Sequence, residues 1–477
     1  MAGKLQLVAK NCYIYRAGDG PVAIHVYLSE KLRASFTENE ALEQLYNASL
    51  LPGVVGPVIG MPDIHTGYGL PIGGVMAVDY EQGVVSAGAV GMDINCGVRL
   101  LTTRIPAAGV DSNMIGRLLA TIARLVPAGV GCASRDKELR RVNLEAVAAG
   151  GAGFFIREGF GRREDGERIE DGGCLPGAGV AAASKEARER ADQLATIGGG
   201  NHFVEIGEVA AVLEKDLAGG FGLQKDHLYV LIHTGSRGLG HQICTDYSNR
   251  MWANAERNGS RAPVKGLACA PIASKDGQDY LRAMALAANY AFANRQLITH
   301  FVREAFVEVF KKPEKELGLD LLYDVAHNIA KKEKHGTRWL LVHRKGATRA
   351  LPAGHRDNPG CYLATGHPAI IPGSMGTASY VVVGTEAITK TFCSVNHGAG
   401  RVMSRKRARQ EFSREDVLDQ LGGVVVIARD VKFLKDEAPL AYKDIDEVVA
   451  TLAEAGLTLP VARLRPLGVL KGEGDEA

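Results

Sequence analysis

The chain has 477 residues, of which 46% are hydrophobic and 23% charged, and its formal net charge at pH 7 is +2. These proportions match an average globular protein and permit a large packed core. A net charge so near zero excludes a positive field over the whole protein, so any nucleic-acid surface must be a local patch.

Cysteine usage and the first residues exclude further classes. The 8 cysteines are too sparse for a disulfide framework, and none form the Cys-x-x-Cys pair of a zinc ribbon. Residues 1–10 lack the apolar core of a signal peptide, and no apolar run approaches the roughly 18 residues that span a bilayer. We therefore expect a cytoplasmic protein without a membrane segment.

Short apolar runs recur along the chain, and each ends in a polar or glycine-rich loop. Such runs are typical of buried β-strands that carry functional residues at their ends. The runs are residues 74–80, 98–105, 228–232, 321–325, 339–342, 380–383 and 424–428.

Helices are predicted between these strands. Residues 298–309 contain an apolar stripe at helical spacing. Two later helices have N-capping signals and glycine stops, namely Ser413 with Asp416 before Gly422, and Asp444 with Glu447 before Gly456.

The polar segments are scattered from residue 63 to residue 401 without a linker between them. This distribution favours a single body over residues 1–477, of the α/β class, with mixed sheets wrapped by helices. Residues 150–178, rich in Gly, Arg, Glu and Asp, are expected to form a long exposed excursion from that body.

Residues of metal-ligand type occur beside glycines or at strand ends. Asp93 and Cys96 stand three residues apart, His202 follows a glycine turn, and His233 and His327 each end an apolar run. Imidazole and thiolate suit borderline divalent metals, and a carboxylate shifts the preference toward manganese. Each histidine alone could equally be a hydrogen-bonded strand end, and Cys96 alone a small buried hydrophobe.

Two segments combine glycines with hydroxyl groups, as anion sites do. Residues 233–241 can aim backbone N–H groups and the Arg237 guanidinium at a phosphate. Residues 372–377 offer amides and hydroxyls without a cation.

A third segment, residues 397–401, places His397 beside glycine amides and Arg401. Neutral imidazole is a nucleophile toward activated phosphorus, and the amides and Arg401 would stabilise the developing charge. A glycine turn that merely contains a histidine is the alternative. Basic clusters at residues 401–409 and 343–349 are either solvated faces or tracks for RNA phosphates.

Eight segments, taken jointly and in this order, resemble the RtcB RNA-splicing ligase family. They are MPDIHTGYGLPIGG (61–74), DINC (93–96), GNHFVE (200–205), HTGSRGLGHQ (233–242), VAHN (325–328), VHRKGATR (342–349), PGSMGT (372–377) and HGAGR (397–401). The resemblance extends over nearly the whole chain, as far as Gly472. It implies a fold particular to that family, with a central pocket for metal and nucleotide.

The resemblance also assigns roles to residues. Cys96 would bridge two Mn²⁺ ions, with Asp93 and His202 completing one site and His233 and His327 the other. His397 would carry GMP, while Arg237 and Arg401 would contact phosphate. The implied guanylate pocket consists of Asn201, His202, Phe203, Val204, Glu205, His327, Asn328, Pro372, Gly373, Ser374, Met375, Ser379, His397, Gly398, Ala399, Gly400, Tyr442 and Lys471.

The implied reaction joins an RNA 3′-phosphate, or a 2′,3′-cyclic phosphate hydrolysed first, to an RNA 5′-hydroxyl with GTP, in tRNA splicing or RNA repair. The implied partners are the two RNA ends and an archease-like activator, and we expect a monomer. An acidic tail, residues 473–477, departs from the family's Lys-Gly terminus. A binuclear phosphatase or nuclease and a non-catalytic nucleotide- or RNA-binding protein remain the alternatives.

Overall fold

A computed structural model describes residues 4–18, 20–37, 39–428 and 431–474, apart from the side chains of residues 431–433. The strands are β1 (Lys4–Ala9), β2 (Cys12–Arg16), β3 (Ile24–Tyr27), β4 (Val54–His65), β5 (Ile72–Asp79), β6 (Val84–Ser86), β7 (Gly97–Pro106), β8 (Phe203–Val212), β9 (His227–Thr234), β10 (Cys269–Pro271), β11 (Asp320–Ala326), β12 (Asn328–His335), β13 (Arg338–Lys345), β14 (Ala347–Arg349), β15 (Ala369–Ile371), β16 (Ser379–Gly384), β17 (Ser394–Asn396), β18 (Val425–Ile427) and β19 (Thr458–Lys471). The helices are α1 (Glu30–Ala34), α2 (Asn39–Ser49), α3 (Ser112–Leu125), α4 (Leu144–Arg157), α5 (Lys185–Glu189), α6 (Lys215–Gly220), α7 (Arg237–Ala253), α8 (Lys275–Phe310), α9 (Glu314–Leu317), α10 (Arg405–Glu411), α11 (Arg414–Gln420) and α12 (Ile445–Glu454).

The strands form two large sheets and two short pairs. The first sheet has seven strands in the order β1-β2-β3-β4-β5-β13-β12, and only β3 and β4 are parallel neighbours. The second sheet has eight strands, with the antiparallel path β11-β7-β9-β8-β19-β16-β15 and β18 parallel to β19. β6 pairs with β10, and β14 with β17. Every strand expected from an apolar run is present, and the α/β class is confirmed.

The second sheet is apolar on both faces, which explains the continuous hydrophobic runs of its strands. In β9, Tyr229 and Leu231 pack in one core cluster, whereas Val230 and Ile232 pack in another. Because side chains alternate along a strand, His233 projects to the same face as Leu231.

Strand register brings the ends of four strands to one edge of the second sheet. Gly97 at the start of β7 pairs with Thr234 at the end of β9. Phe203 at the start of β8 pairs with His233, and Ala326 at the end of β11 pairs with Gly97. The residues of metal-ligand type adjoining these positions are therefore neighbours, although they are distant in sequence.

The longest helix, α8, has 36 residues and packs against α3, α4 and α7. It contains the predicted stripe at residues 298–309. Within the described ranges, no helix combines the length and the apolar character needed to cross a membrane.

The two predicted helix caps differ in detail. A capping box starts α11. The Ser413 hydroxyl accepts the backbone N–H of Asp416, and the Asp416 carboxylate accepts the backbone N–H of Ser413. Asp444 caps α12 by accepting from the backbone N–H of Asp446. Glu447 does not complete a box there, since its carboxylate accepts a hydrogen bond from Ser29.

The segment predicted as an exposed excursion, residues 150–178, mixes exposed residues such as Glu158 and Glu167 with buried ones. Its first part belongs to α4, which packs on α8, and Asp165 and Glu170 further along are buried. Arg303 on α8 donates to Asp165 at 2.6 Å, and Lys331 on β12 lies 2.7 Å from Glu170. Because buried carboxylates require such partners, these two acidic residues anchor the segment to the core.

The basic cluster at residues 343–349 is also not a surface feature. Arg344 and Arg349 are buried, and Arg344 donates to the Glu333 carboxylate at 2.6 Å. Arg349 lies 2.8 Å from Glu170. Both alternatives for these two arginines, a solvated face and an RNA track, are therefore wrong.

Candidate active site

The residues of metal-ligand type converge into two groups that share Cys96. One group is Cys96, His233 and His327, and the other is Asp93, Cys96 and His202, with the ligand atoms of each group within 4.8 Å of one another. The Cys96 Sγ lies 3.2 Å from the His202 Nε2 and 3.3 Å from the His233 Nε2. A thiolate at this position can therefore contact both groups, as a bridging ligand does.

The chemistry of these donors fits divalent cations. Burial lowers the pKa of His233 and His327 well below its usual value, so both imidazoles are neutral, which is the ligating form. Burial raises the pKa of the Cys96 thiol to about 11, and a bound cation would reverse that shift by favouring the thiolate. Imidazole, thiolate and carboxylate together suit a borderline divalent metal.

The loop after β9 holds Asp93 in place. The backbone N–H of Ser236 donates to the Asp93 Oδ1 at 2.9 Å, and the Asn328 side chain donates to the Asp93 backbone carbonyl at 3.1 Å. A Cβ at position 235 would lie 2.3 Å from the Asp93 Oδ2, so only glycine permits this approach. Gly235 is therefore needed for the position of the carboxylate.

His397 is oriented by a buried carboxylate that sequence analysis did not single out. The His397 Nδ1 lies 2.7 Å from the Asp63 Oδ2, which also accepts the backbone N–H of His397 at 3.1 Å. The Asp63 side chain is fully buried. A carboxylate can only accept, so Nδ1 carries the proton and the lone pair is on Nε2, the nitrogen required for attack on phosphorus.

If His397 carries GMP as the family resemblance implies, we expect Asp63→Asn to slow its attack on phosphorus by about 10⁴-fold, the size of effect seen when an amide imposes the wrong tautomer on a catalytic histidine. An asparagine NH₂ can donate to Nδ1 and move the ring proton to Nε2. The measurement is the initial rate of covalent labelling by GTP, with bound metal as a check of folding. Asp79→Asn, at the last residue of β5, where the carboxylate pairs with Arg338, is the matched control, and equal labelling rates in the two variants would contradict this role.

A cavity of about 760 Å³ opens on one side of His397. Its walls include Arg401 and most of the residues that the family resemblance assigns to the guanylate pocket, namely Asn201, Phe203, Glu205, Pro372, Gly373, Ser374, Met375, His397, Gly398, Ala399, Gly400, Tyr442 and Lys471. A second cavity, of about 510 Å³, is lined by Asp93, Cys96, His202, His327 and Asn328, and it shares Asn201 and His397 with the first. His397 thus stands where the two cavities meet.

Charged groups line one wall of the larger cavity. Burial alone would raise the pKa of Glu437, but the nearby Lys471, Arg405 and Arg401 lower it to about 2. The Arg401 guanidinium also lies over the Tyr442 ring, 4.9 Å from its centroid. This wall is positive overall, as a binding site for phosphate groups needs to be.

Glu205, in the same cavity, differs from Glu437 in that its pKa is raised. Burial raises the pKa of its carboxyl to about 7, although a hydrogen bond from Tyr229 and the charge of Lys471 oppose the rise. The Tyr229 hydroxyl donates to one of its oxygens, and a buried acceptor of this kind can also pair with N–H donors of a ligand.

Three of the residues predicted to belong to the site line neither cavity. Val204 packs in the core beside Ile232, on the opposite face of the second sheet from Phe203. The Ser379 hydroxyl accepts from the backbone N–H of Gly373 at 3.1 Å and so supports a cavity wall from outside. The buried Arg237 directs its Nη2 to the Gly129 carbonyl, at 3.4 Å.

The start of the acidic tail is attached to loops near the larger cavity. The Glu473 carbonyl accepts from the backbone N–H of Val130 at 2.8 Å, and the Gly474 carbonyl accepts from that of Gly200 at 3.0 Å. The Lys471 ammonium donates to the Gly200 carbonyl at 2.7 Å. Residues 475–477 lie outside the described residues.

Three residues of the site were not assigned to it from the sequence: Asp63, Arg405 and Glu437. Asp63 stands in the recognised segment 61–74, where a carboxylate near a glycine-rich loop was a usable signal. Arg405 belongs to a basic cluster whose alternatives were left open, and it lines both cavities. Glu437 has no local signal, since nothing in its sequence context distinguishes it from a surface acid.

The similarity of this chain to known proteins extends over nearly its whole length. Residues 44–472 match the family model described as tRNA-splicing ligase RtcB. A protein of Thermococcus kodakarensis named tRNA-splicing ligase RtcB is 45% identical over 455 residues, 94% of each chain. One of the same name from Archaeoglobus fulgidus is 46% identical over 463 residues, 94% of this chain and 95% of its own. The RNA-splicing ligase RtcB of Mycobacterium tuberculosis is 46% identical over 441 residues, 90% of this chain and 100% of its own.

Proposed function

Because the chain belongs to the RtcB family of tRNA-splicing ligases, it is an RNA ligase, and we propose that it joins an RNA 3′-phosphate to an RNA 5′-hydroxyl with GTP and manganese. The observation that carries the proposal is the position of His397. Its ring stands between a nucleotide-sized cavity and the metal-ligand group, 4.8 Å from the ring of His327 by centroids. Asp63 holds its Nδ1, so that Nε2 is the nucleophile.

The first step forms a covalent guanylate. His397 Nε2 attacks the α-phosphorus of GTP, a P–N bond forms, the α–β anhydride bond breaks, and pyrophosphate leaves. The backbone N–H groups of Ala399 and Gly400, together with Arg401, offset the negative charge that builds on the phosphoryl oxygens, whereas the N–H of Gly398 donates to Asp63.

The next steps use that guanylate to activate the RNA. A 3′-phosphate oxygen attacks the guanylate phosphorus, the P–N bond breaks, and His397 regains its lone pair as an RNA 3′-pp-5′-G end forms. The 5′-hydroxyl of the second RNA then attacks the 3′-phosphorus and GMP leaves, which produces a 3′,5′-phosphodiester. Activation is needed because a phosphate monoester has only a poor leaving group. A 2′,3′-cyclic end is hydrolysed to the 3′-phosphate beforehand.

We assign Asp93, Cys96, His202, His233 and His327 as the ligands of two Mn²⁺ ions. Bound there, the ions would supply Lewis-acid polarisation of phosphoryl oxygens and stabilise the leaving groups. Glu205 would accept hydrogen bonds from the guanine N–H groups, and Phe203 and Lys471 would line the space that the base occupies. We assign Arg237 to indirect support of the phosphate site, because its guanidinium is bonded to the protein backbone.

We extend the proposal to the partners, the location and the oligomeric state of the enzyme. The partners are the two RNA ends, with an archease-like activator for turnover, and the enzyme acts as a cytoplasmic monomer built as one domain. The physiological substrates are tRNA halves or damaged RNA that carry a 3′-phosphate or cyclic phosphate.

The chemistry of the RNA ends tests this function directly. We expect a 3′-phosphate RNA to be joined to a 5′-hydroxyl RNA only when GTP and Mn²⁺ are both present. A 3′-hydroxyl RNA offered with a 5′-phosphate RNA should stay unjoined, because it has no 3′-phosphate for GMP to activate. Products are separated by length on a denaturing gel. Cleavage or dephosphorylation without GTP, and no joined product, would make the protein a binuclear hydrolase instead.

A further inference from the structure

An arginine in the second half of α8 is fully buried next to the metal-ligand group. Arg295 has 0% exposed surface, and burying a guanidinium is costly unless its charge and its donors are paired. Its Nε donates to the Asp324 Oδ1 at 2.8 Å, and its Nη1 donates to the backbone carbonyls of Asn95 and Thr234, each at 2.9 Å. The guanidinium therefore joins three segments that are remote in the chain.

Each of those segments carries a residue of the metal-ligand group. Asn95 precedes Cys96, Thr234 follows His233, and Asp324 lies on β11, the strand that ends before His327. Asn95 also has a left-handed φ of 56°, a conformation that costs free energy unless neighbouring groups hold it. A hydrogen bond to the Asn95 carbonyl fixes the peptide unit that leads directly into Cys96.

We propose that Arg295 is a positioning residue for the metal centre, whose guanidinium sets the spacing of Cys96, His233 and His327. This inference rests on the proposed metal-dependent function. The planar fork of an arginine directs several donors at fixed angles, whereas a lysine ammonium has no such geometry. Arg295→Lys keeps the charge beside Asp324 but cannot hold both carbonyls, so the ligand segments lose their common anchor.

Arg99 offers a matched control. It is equally buried and donates to the other oxygen of the same carboxylate, Asp324 Oδ2, at 2.7 Å. Its remaining donors contact the side chains of Gln296 and Thr299 on α8, at 2.7 and 3.1 Å. Arg99→Lys therefore disturbs the same buried ion pair without removing a bond to a ligand-bearing backbone.

The test compares the full-length protein with Arg295→Lys and Arg99→Lys. Mn²⁺ affinity is measured by titration calorimetry, and Co²⁺ serves as a spectroscopic substitute whose thiolate charge-transfer and d–d bands report the ligand geometry. Loss of an outer partner of a metal ligand typically weakens binding by about 10- to 100-fold. We expect a loss of this size and shifted cobalt bands for Arg295→Lys, and near-parental affinity and bands for Arg99→Lys.

The outcomes separate this inference from the proposed function. Identical affinity and identical cobalt spectra in the two variants would overturn the role of Arg295 while leaving a metal-binding parent intact. A parent that binds neither metal would instead remove the proposed function. If Arg295→Lys does not fold, Arg295→Gln is measured in the same way. If both fail to fold even with saturating Mn²⁺ while Arg99→Lys folds, Arg295 supports the fold generally and the proposal is overturned.

Discussion

His397→Ala is expected to abolish covalent labelling of the protein by α-labelled GTP. Alanine removes the Nε2 lone pair, and the described walls of the larger cavity offer no second histidine held by a carboxylate in the way that Asp63 holds His397. Loss of a covalent nucleophile typically costs about 10⁶-fold in rate. Labelling should thus fall below detection, and ligation of 3′-phosphate RNA with it. The adduct is measured after denaturation, where a phosphoramidate is labile to acid.

Two further measurements make the result for His397 specific. His227→Ala, at the opposite end of β9 from His233, is the matched histidine control and should label normally. An RNA that has been chemically pre-activated with GMP should still be sealed by His397→Ala, because the last step does not use the nucleophile. An adduct that persists in His397→Ala at the parental level would show that another residue is guanylylated.

Cys96→Ala is expected to remove bound manganese and to lower ligation by at least about 100-fold, more than loss of an outer partner would. Cys96 is the one residue shared by the two ligand groups, so its loss affects both ions. Asp93→Ala removes a ligand from only one group and should leave about half of the metal bound. Metal content is measured by elemental analysis after dialysis.

The control for Cys96 is another buried cysteine. Cys269 lies on β10, where its Sγ donates to the Ser260 carbonyl at 3.4 Å, and it belongs to neither ligand group. Cys269→Ala should keep its manganese and its activity. If Cys96→Ala retained both ions and parental ligation rates, the thiolate would not be a bridging ligand.

The strands were predictable because the residue types in each strand reflect whether its faces are buried. β9 is apolar along its length since both faces of the second sheet are covered, and its polar end marks the sheet edge. The capping box at Ser413 and Asp416 is equally local. Local patterns of this kind need no knowledge of what the rest of the chain does.

Charged residues were the least predictable, because their environment depends on partners elsewhere in the chain. The clusters at residues 150–178 and 343–349 have the composition of solvated surface, yet Asp165, Glu170 and Arg344 are buried. Sequence composition shows that a residue is charged, but it does not show which oppositely charged residue pairs with it in the core. The same limit applies to Glu437, whose cationic neighbours come from two separate segments, residues 401–405 and the end of β19.

The chemistry available to this protein can be read from its residues alone: the donor types of a metal centre, a histidine among glycine amides, and a family resemblance over nearly the whole chain. The arrangement of those groups follows from the tertiary fold. Asp63 and His397 are 334 residues apart and meet at 2.7 Å, and Arg295 reaches three remote segments. Such contacts arise from strand register and helix packing, which depend on the whole core, so no local pattern encodes them.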